Sequence, residues 1–125
     1  MEVITNNIEI EIQSNYPFKL DEWQMKSMKA NINKENVLVT AHTGSGKTLV
    51  AEFGILESIK SGKKIIYTSP IKSLSNQKYK EFSEIFDDVG ILTGDIKVNP
   101  DASVVIMTTE ILLNMLYKDN NIYEI

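Results

Sequence analysis

The 125-residue sequence predicts an α/β domain, a parallel sheet with flanking helices, and three observations carry that prediction. Short β-rich apolar runs alternate with longer stretches of helical periodicity, the pattern of successive strand–helix–strand units. A Gly-rich segment stands at one of the strand-to-helix junctions. The composition, 42% hydrophobic and 24% charged with six Gly and three Pro, is that of an ordinary globular chain of one-domain size. It excludes collagen-like, disulfide-scaffold and wholly disordered classes.

Each element follows from local pattern. Ile8, Ile10 and Ile12 alternate with Glu9 and Glu11 ahead of Tyr16-Pro17, which predicts a short strand or arm within residues 1–17. From Asp21 a helix is predicted on the stripe Trp23, Met25, Met28 and Ile32, with a polar exit over Asn31–Asn36. Val37-Leu38-Val39 predicts a strand over residues 37–40, and Leu49–Lys60 a helix that ends at Ser61-Gly62. The alternation then repeats. A strand is predicted over Lys64–Thr68, and a helix over Ser73–Phe86 with Leu74, Tyr79, Phe82 and Ile85 inward. Strands at Val89–Leu92 and Val104–Met107 are separated by a loop over Thr93–Asp101, and a helix follows over Thr109–Leu116. Trp23, Tyr79 and Phe82 read as core residues, not as base-stacking platforms.

Charge and residue counts narrow the chemistry. There is no Cys, hence no disulfide, thiolate metal site or thiol nucleophile. All thirteen basic residues are Lys, so the chain can supply no arginine finger. The net charge of −4 is shared evenly between the two halves. Bulk electrostatics gives no attraction to nucleic acid, and any such contact must be local. The cluster Lys60, Lys63 and Lys64 reads as a solvated helix exit. No run approaches the ~18 apolar residues of a membrane span, and no signal pattern opens the chain. The expected location is intracellular, cytoplasmic or nuclear, without a membrane partner.

Residues 41–48 read Ala41-His42-Thr43-Gly44-Ser45-Gly46-Lys47-Thr48 between a predicted strand and a predicted helix. This is the context of a Walker A phosphate loop. Gly44 and Gly46 let the backbone curl so that successive N–H groups converge on an anion, and the next helix presents its positive end to it. Lys47 would reach the β/γ-phosphates of a nucleotide and the Thr48 hydroxyl would ligate Mg²⁺. His42, the only histidine, has no partner constellation and reads as a loop residue.

With that loop placed, the chain from about Phe18 to Tyr117 resembles the first RecA-like domain of superfamily 2 DExH-box RNA helicases of the superkiller and exosome-cofactor type. The resemblance rests on Phe18–Gln24, Ala41–Thr48, Thr68–Tyr79 and Gly90–Tyr117. Ala41, where the generic loop has Gly, is familiar in that superfamily. The resemblance implies ATP and Mg²⁺ as cofactors and the backbone of single-stranded RNA as partner. It divides the chain into an arm, residues 1–17, and an incomplete RecA-like P-loop NTPase domain, residues 18–125. Phe18 would stack on adenine and Gln24 would bond its polar edge. Asp21 and Gln24 also form a capping box, with Leu20 and Met25 spaced as a hydrophobic staple, and both roles can hold together. Ser69, Pro70 and Lys72, then Thr93, Gly94 and Asp95, then Thr108, Thr109 and Glu110 would form RNA-contacting turns at the carboxyl edge of one sheet.

The resemblance also sets an expectation about extent. The family's next landmark, Asp-Glu-x-His, should follow the helix containing Met115 and Leu116, and the sequence does not contain it. The resemblance further implies a second RecA-like domain with its arginine fingers and an RNA-processing complex as the setting. The 125 residues alone are therefore expected to turn over little or no ATP. The strand at residues 37–40 is expected to be central in the complete sheet, leaving an apolar edge beside Val37–Val39 here. A DNA helicase of the same superfamily and a non-catalytic nucleotide- or RNA-binding remnant are the competing readings.

Overall fold

The computed structural model describes residues 2–40 and 46–118, with side chains from residue 8 onward. The chain divides into two compact units, one running to Glu57 and the other starting at Ser58.

The first unit is helical. It comprises α1 (Glu2–Gln13), α2 (Glu22–Ile32) and most of α3 (Lys47–Lys60). Ile12, Leu20, Met28 and Phe53 form its buried centre, with Ile8, Tyr16, Met25, Ile32, Leu49 and Val50 packed around them. The strand predicted within residues 1–17 is thus a helix. Ile8, Ile10 and Ile12 satisfy a period of two, but Ile8 and Ile12 also stand four apart, on one helical face. Ile12 is buried and Ile8 packs against the same core, which decides the outcome, and Ile10 is left 67% exposed. An ion pair between Glu9 and Lys29 ties α1 to α2. The α1 exit is closed by the Ser14 hydroxyl, which donates to the Glu11 carbonyl at 2.6 Å.

The strand predicted at residues 37–40 does not form either. A strand takes its hydrogen bonds from neighbours, and no described residue forms a ladder with this run. Leu38 is 90% exposed. What was expected as a bare sheet edge is a segment without regular structure.

The second unit contains the sheet. Its strands are β1 (Ile65–Ser69), β2 (Val89–Leu92), β3 (Lys97–Val98) and β4 (Val104–Thr108), in the order β1-β4-β2-β3. β4 pairs in parallel with β1 and with β2, while the two-residue β3 runs antiparallel to β2 inside the predicted loop. All five residues of β4 are buried, as expected for a central strand covered on both faces. On one face Val105 and Met107 pack with Ala102, Ile66 and Leu92 against Ile111, Leu112 and Met115 of α5 (Thr109–Lys118).

Helix α4 (Lys72–Ile85) connects β1 to β2. Its Phe82 is fully buried, edge-on to Tyr67 with ring centroids 5.2 Å apart and to Phe86 at 5.6 Å. Its inward face differs from the predicted one. Leu74 and Ile85 are exposed at 44% and 53%, while Ser75 is buried. Ser75, Tyr79, Phe82 and Phe86 follow the helical spacing, and the Ser75 hydroxyl bonds the Ile71 carbonyl at 3.2 Å, which lets a serine occupy an interior position. Among the described residues no helix is long and apolar enough to cross a membrane.

Asp88 fastens the entrance of β2 to the approach of β4. Its carboxylate accepts from Asn99 Nδ2 at 3.0 Å, the Ser103 amide at 2.9 Å and the Ser103 hydroxyl at 3.0 Å. The Ser103 amide first, then the Asn99 and Ser103 side chains, hold this exposed carboxyl below its ordinary value. Its contribution to stability is therefore complete above the ordinary carboxylate range and fades as pH falls through its lowered value. Asp88→Asn should flatten the decline of urea midpoint between neutral pH and pH 3. An unchanged decline would show that Asp88 plays no part in it.

Gly90 lies under Asn99, whose φ is +48°. A Cβ at Gly90 would stand 1.9 Å from the Asn99 carbonyl oxygen and 2.9 Å from that of Val98. Backbone atoms cannot step aside as a side-chain end can, so Gly90→Ala should destabilise the chain by about 1–3 kcal/mol in urea unfolding. A neutral result would mean that the β2–β3 approach is looser than described.

Candidate nucleotide cradle and strand-end turns

Two groups of predicted site residues fall in separate units and are taken in turn. Ala41, His42, Thr43, Gly44 and Ser45 lie outside the described residues. The end of the loop is described. Gly46 has φ +91°, and Lys47 and Thr48 open α3 with exposed side chains. A 14-residue helix leaves its first four N–H groups without intrahelical partners. A glycine in the left-handed region, a helix start, an ammonium and a hydroxyl make a sensible set for phosphate and its Mg²⁺.

Gln24 connects α2 to this cradle. Its Oε1 accepts from the Asp21 amide at 2.9 Å, completing the capping box, and its Nε2 donates to the Gly46 carbonyl at 3.3 Å. Leu20 and Met25 share the adjoining core, as the staple requires. Each end of the amide retains one further hydrogen-bonding valence, although the residue is only 5% exposed. Phe18 is half exposed, its ring 5.7 Å from that of Tyr16. Gln13, which the sequence reading passed over, brackets the Phe18 segment. Its Nε2 donates to the Phe18 carbonyl at 2.7 Å and its Oε1 accepts from the Leu20 amide at 3.0 Å. Nothing in the pattern marks it, because its partners come from a turn that only the fold defines.

In the second unit the parallel registers Ser69↔Thr108 and Leu92↔Met107 bring the ends of β1, β2 and β4 to one edge. All three predicted turns lie there. Their residues separate into two kinds. Ser69, Thr93 and Thr108 are buried. The Thr93 hydroxyl accepts from the Asp95 and Ile96 amides at 3.3 and 3.1 Å, and the Ile96 carbonyl accepts from the Thr93 amide at 2.9 Å. Ser69 is occupied similarly with the Ile71 backbone. Pro70, Lys72, Gly94, Asp95, Thr109 and Glu110 are exposed. Ile71 is the N-cap of α4 and contributes no side-chain bond to its first amides. One contact was not foreseen: Lys72 Nζ stands 2.8 Å from Asp95 Oδ2. Among the described residues no group of His, Cys, Asp and Glu could hold a metal ion by itself.

The cradle geometry carries its own test. A Cβ at Gly46 would lie 2.6 Å from Gln24 Nε2, in a left-handed conformation that an L side chain resists. Gly46→Ala should therefore cost about 1–2 kcal/mol from backbone strain, read by Trp23 fluorescence during urea unfolding. No loss of stability would mean that the loop accepts an ordinary residue.

A family model described as DEAD/DEAH box helicase matches residues 21–125. Over 107 residues, 86% of the chain, identity is 55% to an uncharacterised helicase of Schizosaccharomyces pombe, of which the match covers 10%. It is 52% to a DExH-box ATP-dependent RNA helicase of Arabidopsis thaliana, of which 11% is covered. It is 50% to an exosome RNA helicase of Homo sapiens, of which 10% is covered. The chain thus spans about a tenth of the length of these curated relatives. A Gly-Lys-Thr helix start behind a curled glycine, three strand-end turns on one sheet edge and a match over most of the sequence agree: the chain belongs to the DEAD/DEAH box helicase family.

Proposed function

We propose that this chain is the ATP-binding segment of an ATP-dependent RNA helicase, an intracellular protein that couples ATP hydrolysis to movement along an RNA strand. Within it, residues 41–48 hold the triphosphate, with Lys47 on the β/γ-phosphates and Thr48 as a ligand of Mg²⁺. Phe18 and Gln24 receive the adenine. The observation that carries the reading is the placement of three turns at the carboxyl edge of one parallel sheet, where open α/β sheets bind their ligands. The names of the Arabidopsis and human relatives, an ATP-dependent RNA helicase and an exosome RNA helicase, support RNA as the strand and an RNA-processing complex as the setting.

The residues present fit the groups proposed. Gly46 holds a left-handed φ of +91° directly before Lys47 and Thr48, a conformation that glycine adopts without cost. Bound Mg²⁺ would supply charge neutralisation at the phosphates, and it is ordinarily held by one hydroxyl, the phosphates and water. The exposed side chains of Pro70, Lys72, Gly94, Asp95, Thr109 and Glu110 line the strand path, while buried Ser69, Thr93 and Thr108 shape the turns beneath it. The 125 residues contain neither Asp-Glu-x-His nor Arg. By themselves they bind nucleotide without turning it over; the remainder of the first domain would supply the Asp-Glu-x-His motif and the second domain the arginine fingers.

Titration with a fluorescent ATP analogue, beside a phosphate-release assay, tests this. Binding should fall by about 10- to 100-fold in Lys47→Ala, the loss of one charge-assisted hydrogen bond, with no phosphate released by either protein. In a separate anisotropy titration, a labelled single-stranded RNA should bind more tightly than the matched DNA. Nucleotide binding indifferent to Lys47→Ala would overturn the cradle, and a preference for DNA would turn the reading to a DNA helicase.

A further inference from the structure

The three turns at the sheet edge contain one cation and two carboxylates: Lys72, Asp95 and Glu110. Lys97, exposed in β3 opposite Leu92, is a second ammonium at this edge, but Lys72 alone belongs to the turns, and turns that grip phosphates would be expected to keep their ammonium available. Here Lys72 Nζ is bonded to Asp95 Oδ2 at 2.8 Å. The partner is fixed in place by the fold. The Thr93 hydroxyl holds the Asp95 and Ile96 amides, and the Thr93 amide closes the turn on the Ile96 carbonyl at 2.9 Å. The Lys72 side chain lies across Gly94, where an added Cβ would be 3.7 Å from Nζ and 3.8 Å from Cε. Both charged side chains remain exposed, at 56% and 72%. The pair is therefore open to exchange with a ligand from solvent.

We infer that Asp95 is a built-in competitor of the RNA backbone: its carboxylate occupies the place on Lys72 that a strand phosphate takes when RNA binds. This rests on the RNA-contacting reading of the edge and names the residue that sets its strength. A carboxylate and a phosphodiester are both anionic oxygen acceptors, so the exchange replaces one ion pair by another. Two consequences follow. Affinity is reduced by the strength of the pair, about 1.5- to 5-fold for an exposed ion pair. Salt dependence is also flattened, because salt that screens the Lys72–phosphate contact equally screens the competing Lys72–Asp95 contact.

The test is fluorescence anisotropy of a 5′-fluorescein-labelled oligouridylate over a KCl series. Asp95→Asn should tighten binding by about 2- to 5-fold at low salt. It should also steepen the log–log salt slope by up to about 0.7, the value for one phosphate neutralised on a single strand. Asp95→Ser serves as a second variant should the Asn protein fold poorly, as judged by circular dichroism. In a Lys72→Gln background neither replacement should have an effect. Asp101→Asn, which removes the same charge before β4 at the opposite edge, should leave affinity nearly unchanged. Equal tightening by Asp101→Asn, or tightening that survives in Lys72→Gln, would reduce the effect to bulk charge and overturn the inference. Weakening by Asp95→Asn would overturn it too, making Asp95 a support for RNA binding. Binding that falls in Lys72→Gln but ignores Asp95→Asn would leave the RNA reading standing and remove the competitor alone. Binding that ignores Lys72→Gln, or no binding of RNA, would remove both.

Discussion

The second unit depends on the complete burial of β4 and on its being paired in parallel on both sides. Val104, Val105, Ile106, Met107 and Thr108 are all enclosed, so neither face can slip toward water. A shift of one residue would exchange the two faces and bring Val104 and Ile106 where Val105 and Met107 now meet α5. The register is thereby fixed, and with it the alignment of Ser69 with Thr108 and of Leu92 with Met107. Three separate turns become one surface because one strand cannot move. The same constraint reaches the other end of the ladder, where Asp88 bonds Ser103 just ahead of β4.

The cradle in the first unit is set by a different device. No strand leads into Gly46 among the described residues, and a buried side-chain amide does the positioning. Gln24 is held at Oε1 by the start of its own helix and reaches the Gly46 carbonyl with Nε2. A capping box is ordinarily a local matter that stabilises one helix end. Here the same amide joins the helix end to the loop, so capping and site geometry are one interaction. Gln13 repeats the arrangement one step away, spanning the Phe18 carbonyl and the Leu20 amide. The segment proposed to receive adenine is thus framed by two glutamines, of which the sequence reading found one.

What could be read from the sequence was what local chemistry determines. The Asp21 cap, the staple, the helix exit at Gly62 and the Val-Val-Ile-Met run of β4 each carry their own signal within a few residues, and each formed where expected. The misread elements needed information from elsewhere in the chain. Ile8, Ile10 and Ile12 fit two periods, and the core formed with Leu20, Met28 and Phe53 selects the helical one. Val37–Val39 has strand chemistry, yet a strand exists only with a partner. On α4 the largest apolar residues suggested the inward face, whereas Phe82 against Tyr67 and Phe86 determined it and left Leu74 and Ile85 outside. The site was legible as types in order, from Lys47-Thr48 to the three turns. The Lys72–Asp95 pair was not, because it joins residues 23 apart whose meeting depends on the β4 ladder.

The proposed strand edge would hold an anion without a positive field. The chain carries a net charge of −4 and no arginine, so its bulk charge supplies no long-range attraction for an anionic strand. The proposed contacts come from hydroxyls, backbone amides and few lysines at one sheet edge, which is recognition by position more than by charge. Such a surface has a physical advantage for a protein that moves. Each electrostatic contact added to a strand deepens the well from which the next step must escape, and it does so without distinguishing one register from another. On the proposed reading, an edge of fixed turns whose Lys72 is already matched by Asp95 keeps that well shallow while preserving geometry.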